Sequence, residues 1–434
     1  NNALKINPDR AGSWCMKGNV LTALGIYTDA IGCFDKAISA DPSLAGAWFG
    51  RGRTLAGMGK SWESVECYDR ALSITPQDAA VWFSRGNAFH ALGELPDALS
   101  SYDHALGINP WYSAAWNNKG FALGNRGEYE KAIDCYDRAL EINPQNDKTW
   151  ANKGNALVFL GRHRDAIGCY DRALEINPAF DDAWNNKGIA LEKLGKNWEA
   201  IRCYDEALDI NVKYSDAWNN KGIALEKLGK NWEALRCYDR ALEINPRDAM
   251  AWLNRGSALS NLGRPGDAIR CYETTLEISP RYARAWYNKG NCLFSQNNHA
   301  EAVECYNRAI EINPRYARAW LNRGCTLFSL GRSAEAVNSY DTALEIKPRY
   351  ARAWYNKGIA LFYLEKFSDA LGCYDRALEI EPGYADVLFS KGIVLIELGK
   401  TGEAVCVFQQ YLRYAPQTCT ARIEQVQQII EKMK

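Results

Sequence analysis

The chain has 434 residues and carries 52 Lys plus Arg against 52 Asp plus Glu, so its formal charge is zero. That balance offers no basic field to nucleic acid or to an anionic membrane surface, and neither is expected as a partner. No apolar run approaches the roughly 20 residues of a bilayer-spanning helix, and the opening Asn1-Asn2-Ala3-Leu4-Lys5 has no signal-peptide pattern.

Read from the N-terminus, residues 1–10 look like the end of a second helix, and the missing initiator Met points to a fragment or a processed chain. From residue 11 a 34-residue period takes over. Trp14, Trp48, Trp82, Trp116, Trp150, Trp184, Trp218, Trp252, Trp286, Trp320 and Trp354 mark it, with Leu388 in the twelfth slot. Four residues after each stands a glycine, from Gly18 through Gly188 to Gly392. A proline slot runs from Pro8 to Pro178, lapses at Val212 and resumes from Pro246 to Pro416.

Each period predicts two helices. Apolar residues recur at helical spacing from Asp182-Ala183-Trp184 to Leu194, and Gly195 then supplies a left-handed cap. The second helix runs from about Trp198 to Ile210, with Ala200, Tyr204 and Ala207 on one face. A proline beyond it ends the hydrogen-bond ladder. Gly188 and Ala200 let the two backbones approach, while Trp184 and Tyr204 fill the space beside them. Twelve such periods occupy residues 11–418. In 419–434, Arg422 falls in the Trp slot, and Ile423, Val426 and Ile430 form one apolar stripe, the pattern of a capping helix. The N-terminal edge shows no such cap, a second sign of truncation. Val212 in the proline slot and Glu365 in a cap-glycine slot are the expected soft points.

This pattern resembles the tetratricopeptide (TPR) family. In the repeat 215–248 its signature positions are Trp218, Gly222, Leu225, Gly229, Ala234, Tyr238, Ala241 and Pro246. The phrase Trp-Asn-Asn-Lys-Gly-Ile-Ala-Leu looks most like archaeal or bacterial arrays. The resemblance implies an all-α solenoid of about twelve helix-turn-helix repeats, wound as a right-handed superhelix of somewhat over one turn. It also implies an interaction scaffold, without naming a partner, because function resides in the site.

Residues able to do chemistry are sparse. Nine of the fourteen cysteines share one slot: Cys33, Cys67, Cys135, Cys169, Cys203, Cys237, Cys271, Cys305 and Cys373. Packed repeats stand about 10 Å apart, beyond the Cα separation of about 7 Å that a disulfide allows. No Cys-x-x-Cys pair offers zinc spacing. Reduced, semi-buried thiols of a cytoplasmic protein are the reading. None of the four histidines, His90, His104, His163 and His299, sits in a metal-binding pair or beside a nucleophile. No catalytic residue, metal or cofactor is therefore expected. Lys or Arg stands before the first-helix glycine in all twelve repeats, as at Lys17, Arg51, Lys187 and Arg323. A carboxylate recurs after the second-helix aromatic, as at Asp35, Asp69, Asp137, Asp205 and Asp375. These two slots predict ion pairs on the repeat seam, worth little net once desolvation is counted.

In the family resembled here, first helices line the concave surface, and the residue two after the Trp faces it. That residue is Asn118, Asn152, Asn186, Asn220, Asn254, Asn288, Asn322 and Asn356 in eight consecutive repeats. Asparagine costs about 0.5 kcal/mol in a helix relative to Ala, but its amide can clasp a peptide backbone at N–H and C=O together. A strand rises about 3.3 Å per residue, so one Asn would meet every third ligand residue. The column resembles the asparagine ladder of the TPR region in O-linked N-acetylglucosamine transferases, and that of kinesin light chains. Duplication alone could have copied it, since residues 182–200 and 216–234 are identical. Yet the preceding slot has diverged to Asn117, Ala151, Asn185, Asn219, Leu253, Tyr287, Leu321 and Tyr355 while the Asn persists, which favours a ladder.

Repeats 9–11 each carry Pro-Arg-Tyr-Ala-Arg-Ala-Trp, which places Arg284, Arg318 and Arg352 in the first turn of a helix, where a cation opposes the helix dipole. Tyr287, Phe294, Phe328, Tyr355, Phe362 and Tyr363 add aromatic surface. An extended ligand with acidic and aromatic residues at this end is expected; a solvated or seam-bridged arginine row is the alternative. Repeats 6 and 7 offer acids in place of these cations: Asp182, Glu192, Asp216 and Glu226. The chaperone-type carboxylate clamp would need Lys directly after the Trp slot and Arg two after it, and no repeat has either. The reading is thus a scaffold that is not an enzyme and binds a protein or peptide. Two alternatives stay open: the regulatory or substrate-recruiting region of a larger enzyme, and a self-assembling structural array.

Overall fold

The period is set by two local events. Past the first helix of repeat 6 (Asp181–Lys193), Gly195 takes φ 76, and the N–H groups of Gly195 and Lys196 close onto the carbonyls of Glu192 and Leu191 at 2.9 and 3.0 Å. Glycine enters this left-handed region without a Cβ clash. In repeats 9 and 11 the same turn is made by Asn297 and Glu365, at φ 60 and 57. Past the second helix of repeat 5 (His163–Ile176), Asn177 accepts the Ala179 N–H through Oδ1 at 3.2 Å, and the Pro178 carbonyl accepts the Trp184 indole N–H at 3.1 Å. That indole bond recurs at Trp48, Trp82, Trp116, Trp150, Trp252, Trp286, Trp320 and Trp354.

The computed structural model describes residues 11–416, 418 and 420–433, and among these the regular elements are 25 α-helices. They form twelve pairs in tandem and a final helix, an all-α solenoid of helix hairpins. Residues 1–10, expected to end an earlier helix, lie outside the described residues. Two compact units are formed, residues 1–217 and 218–434. Within each, described first helices of successive repeats touch one another, while second helices reach the next repeat through its first helix. The first helices therefore make the crowded face.

Inside each pair the close approach is real. A Cβ on Gly188 would lie 2.5 Å from Tyr204 Cε1, so only glycine admits the ring. The tyrosine is the buried aromatic: Tyr68, Tyr102, Tyr170, Tyr204, Tyr238, Tyr272, Tyr306, Tyr340 and Tyr374 are almost wholly enclosed. Trp184 is only half-buried, so of the two rings expected to fill the space beside Gly188 and Ala200 it is Tyr204 that is enclosed. The Trp184 indole N–H must reach the preceding turn, and that keeps one edge at the surface.

The basic and acidic slots pair between repeats. Arg51 meets Asp35 at 2.8 Å, Arg85 meets Asp69 at 2.7 Å and Lys119 meets Asp103 at 2.6 Å. In the second unit Arg255–Asp239, Lys289–Glu273, Lys357–Asp341 and Lys391–Asp375 continue the series at 2.5–2.8 Å. Most of these cations, among them Arg85, Lys119, Arg255, Lys289 and Lys357, also lie over their own repeat's tryptophan, as Lys187 does over Trp184 at 5.0 Å. Arg323 lies over Trp320 at 5.6 Å but has no acid in the paired slot: Asn307 occupies that place and accepts from Nε at 2.7 Å.

After the twelfth pair, the helix Thr420–Met433 buries Val426 and Ile430 against Leu388, Leu395, Phe408 and Tyr411, and Arg422 pairs with Asp386 at 2.7 Å. Among the described residues no helix is long and apolar enough to cross a membrane. The described cysteines carry free thiols, most of them buried.

Candidate functional site

Because the first helices stack side by side, slot-equivalent side chains come within reach across a repeat boundary. The asparagine column uses that reach. In the first unit, Nδ2 of Asn118 donates to Asn87 at 2.8 Å, that of Asn152 to Asn117 at 3.2 Å, and that of Asn186 to Asn155 at 3.1 Å. In the second, Asn254 donates to Asn219 at 3.1 Å, Asn322 to Asn291 at 2.8 Å, and Asn356 to the Cys325 sulfur at 3.2 Å. The acceptor sits five residues after the preceding Trp where that slot holds Asn or Cys. Where it holds Phe121 or Ile223, the bond moves to the Asn one after the Trp.

Buried tyrosines complete the network, with Tyr102, Tyr170 and Tyr306 donating to Asn87, Asn155 and Asn291 at 2.7–2.8 Å. The helix cost of each Asn is thus offset first within the protein. What remains toward a ligand is the second N–H and the amide oxygen. At Asn118 and Asn186 that oxygen already accepts from Asn117 and Asn185. Asn220 is engaged as well, Asn254 is buried, and Asn288 has no hydrogen-bond partner among the described residues.

In the second unit this face opens into a cleft of ≈ 520 Å³ that spans repeats 9 to 11. Its floor is amide and phenol: Asn291 Oδ1 accepts from both Tyr306 and Asn322 at 2.8 Å, and Asn322 also donates to the Tyr287 hydroxyl at 3.2 Å. Its walls are Tyr287, Phe294, Leu321 and Tyr350, with Cys325 at the base. Tyr287 is fixed against Tyr306 and Tyr316, with ring centroids at 6.0 and 4.9 Å. Arg318 and Arg352 line the same cleft and are exposed, with no ion pair among the described residues. Burial pushes the Tyr350 phenol up, and the Arg352 and Arg318 cations both pull against it.

Arg284, identical to them in local sequence, stands outside this cleft, and its field falls on Glu226. That carboxyl is raised by burial and drawn back by its hydrogen bond from Tyr238, by Arg284 and by a hydrogen bond from Asn261. Both bonds measure 3.0 Å. Tyr355 packs against Tyr374 and Tyr384 at 6.2 and 5.3 Å, away from the cleft. Phe362 and Tyr363 likewise meet Phe367 and Phe328.

The structure therefore joins Tyr287, Phe294, Arg318, Asn322 and Arg352, and leaves Arg284, Asn288, Tyr355 and Asn356 outside their cleft. Sequence reasoning missed Asn291, Tyr306, Cys325 and Tyr350. The signal for the first and third was the slot five after each Trp, which switches between polar and apolar residues from repeat to repeat. A smaller cleft of ≈ 340 Å³ in the first unit was also missed; Phe121, Asn155 and the stacked rings of Tyr129 and Phe159, 4.8 Å apart, line it.

Family models described as tetratricopeptide repeat match residues 11–44, 113–146, 135–168, 181–214, 215–248, 237–270, 283–316, 305–338, 351–384 and 373–405. A further TPR-repeat model matches 58–93, 154–195 and 324–364. The chain belongs to the tetratricopeptide-repeat family. No curated protein matches it. Among solved structures, YrrB, described as a TPR protein with an unusual peptide-binding site, is 27% identical with a TM-score of 0.37, the match covering 43% of this chain and 96% of that one. A tetratricopeptide repeat protein from Parabacteroides merdae is 21% identical with a TM-score of 0.48, over 57% and 98%. The APC/C hetero-tetramer Cut9–Hcn1 matches over 98% and 96% at 14% identity, with a TM-score of 0.49.

Proposed function

We propose that this chain is a protein-interaction scaffold, not an enzyme, and that it receives an extended peptide or disordered segment along the first-helix face. The cleft of repeats 9–11 anchors an acidic and aromatic stretch of that ligand. One observation carries the reading: Arg318 and Arg352 border an aromatic-walled cleft with no carboxylate paired to them among the described residues, whereas Lys357 has Asp341 at 2.5 Å. A cation in the first turn of a helix opposes the dipole, and an arriving anion offsets that cost. The amide atoms not taken by internal bonds serve ligand backbone at Asn118, Asn152 and Asn186 in the first unit and at Asn220, Asn288, Asn322 and Asn356 in the second, while buried Asn254 braces the column. Arg284 and Tyr355 flank the anchor. A cytoplasmic setting suits the many reduced thiols.

Peptide-display selection tests this, run against the folded chain, a variant with Asn254, Asn288, Asn322 and Asn356 changed to Ala, and Arg318→Gln/Arg352→Gln. Enrichment of extended acidic and aromatic sequences is expected. The alanine variant should lose it, and the glutamine variant should lose the preference for acids. Enriched peptides that survive both variants would place the ligand elsewhere, and no enrichment at all would refute the proposal.

A further inference from the structure

We infer that the cleft of repeats 9–11 takes a dianionic phosphoryl group carried on an aromatic ring, the side chain of a phosphotyrosine in the extended ligand. The inference rests on the reading of this face as a peptide site and names the residue that its anchor prefers.

Two guanidiniums from successive repeats border one cavity, and both act on the phenol of Tyr350. A carboxylate matches the fork of one arginine; the second would keep only water as its acceptor. A phosphomonoester carries about −1.5 to −2 charges at neutral pH and three strong acceptor oxygens, enough for both. The cavity is also too large for an anion alone at ≈ 520 Å³, and what surrounds the remaining space is Tyr287, Phe294 and Tyr350. Rings favour stacked and edge-on contacts with such walls. The floor asks for no charge, because its acceptor Asn291 Oδ1 already has Tyr306 and Asn322 as donors. A ring seated on that floor, with its phosphoryl group at the arginine rim, satisfies every part.

Two other clefts join arginines to tryptophans, Arg236, Arg255, Arg264 and Arg270 with Trp232 and Trp252, and Arg164 and Arg202 with Trp184, but Asp239 and Asp267 line the first and Asp171, Glu199 and Glu206 the second, whereas no carboxylate lines the cleft of repeats 9–11. Arg255, Lys289, Lys357 and Lys391 are held by acids of the preceding repeat, and Arg284 acts on Glu226. The cleft of Phe121, Tyr129 and Phe159 has rings but no cation in its lining.

The test uses the whole chain and four pools of degenerate peptides with one fixed central residue: phosphotyrosine, tyrosine, phosphoserine or glutamate. Binding is read by fluorescence anisotropy. The phosphotyrosine pool should bind at least about tenfold tighter than the tyrosine pool, as expected for paired charge-assisted hydrogen bonds. It should also exceed the phosphoserine and glutamate pools. Arg318→Gln/Arg352→Gln should abolish that gain, so that the phosphotyrosine and tyrosine pools bind the variant alike, with helicity confirming the fold. Below about pH 6 the gain should shrink as the phosphate takes up its second proton. Equal binding of the glutamate or phosphoserine pool, or a gain that survives in the double variant, overturns the inference. Binding without any phosphate gain does so too, while leaving the peptide face standing. Failure of every pool removes both.

Discussion

Asn307→Asp would give Arg323 the acid that its counterparts meet. Arg323 already donates from Nε to Asn307 at 2.7 Å and from Nη1 to Ser339 at 2.6 Å, so the change adds a charge and no new contact. A hydrogen bond to a charged group contributes about 1.5–3 kcal/mol, against about 0.5–1.5 for a neutral one. The equivalent Asp239 is 49% exposed, and water screening at such a site brings the expected gain down to about 0.5–1 kcal/mol. Denaturant unfolding of the two proteins measures it, with Arg323→Met in both backgrounds to close a double-mutant cycle. Repeat arrays need not unfold in one step, so amide exchange in the helix Ala317–Ser329 supplies the local reading. The gain should fade near 1 M salt, where the Debye length is about 3 Å. A gain indifferent to salt, or a loss at low salt, would refute the electrostatic account of the inter-repeat pairs.

Glu365→Gly should stabilise the array by about 0.5–1 kcal/mol: the left-handed region costs an L-residue about 1–2, and glycine returns part of that as unfolded-chain entropy. Asn297→Gly should gain less, because asparagine tolerates this region; the reverse order in unfolding midpoints would contradict the argument. Gly222→Ala should cost about 1–3 kcal/mol through overpacking, since its Cβ would lie 2.5 Å from Tyr238 Cε1. Gly168→Ala, mid-helix with nothing within 4 Å, should instead gain up to about 1 kcal/mol, and equal effects of the two would dismiss the steric reading. In alkylation near pH 8 followed by peptide mass spectrometry, exposed Cys406 should react first among the described cysteines. Cys135, Cys169, Cys203, Cys305 and Cys373, pushed up to about 11 by burial, should stay intact until the chain unfolds.

The helix pairs were legible because each depends on residues close in sequence: a cap glycine, an Asn-Pro stop, a small residue opposite a ring. The ion pairs were legible too, because both partners recur at a fixed offset. The tryptophans misled, since constancy marks a slot as necessary without saying whether volume or a hydrogen-bond donor is needed. Trp184 is kept by its bond to the Pro178 carbonyl and its cation as well as by its bulk. The asparagines were visible as a column, but not their sideways bonds, because the acceptor slot reads Asn87, Phe121, Asn155 and Ile189 in turn and has no period. Arg284, Arg318 and Arg352 sit in the same heptapeptide. What separates Arg284 is Glu226, far back in the chain, and only the packed fold brings its charge into range.

The two kinds of joint between neighbours also differ in how they tolerate shuffling. Apart from the repeats with Asn307 and Gln409, every repeat carries its acid on one side and its cation on the other, so the ionic joint accepts almost any repeat as the next one, and whole modules could be gained or lost without breaking it. The amide joint has no such generality: Asn322 needs the Asn291 that comes before it, and Asn356 needs Cys325. Lengthening the array between those pairs would leave the stacking intact and erase the shape of the cleft. The ionic series keeps the modules interchangeable, and the amides give each one an address.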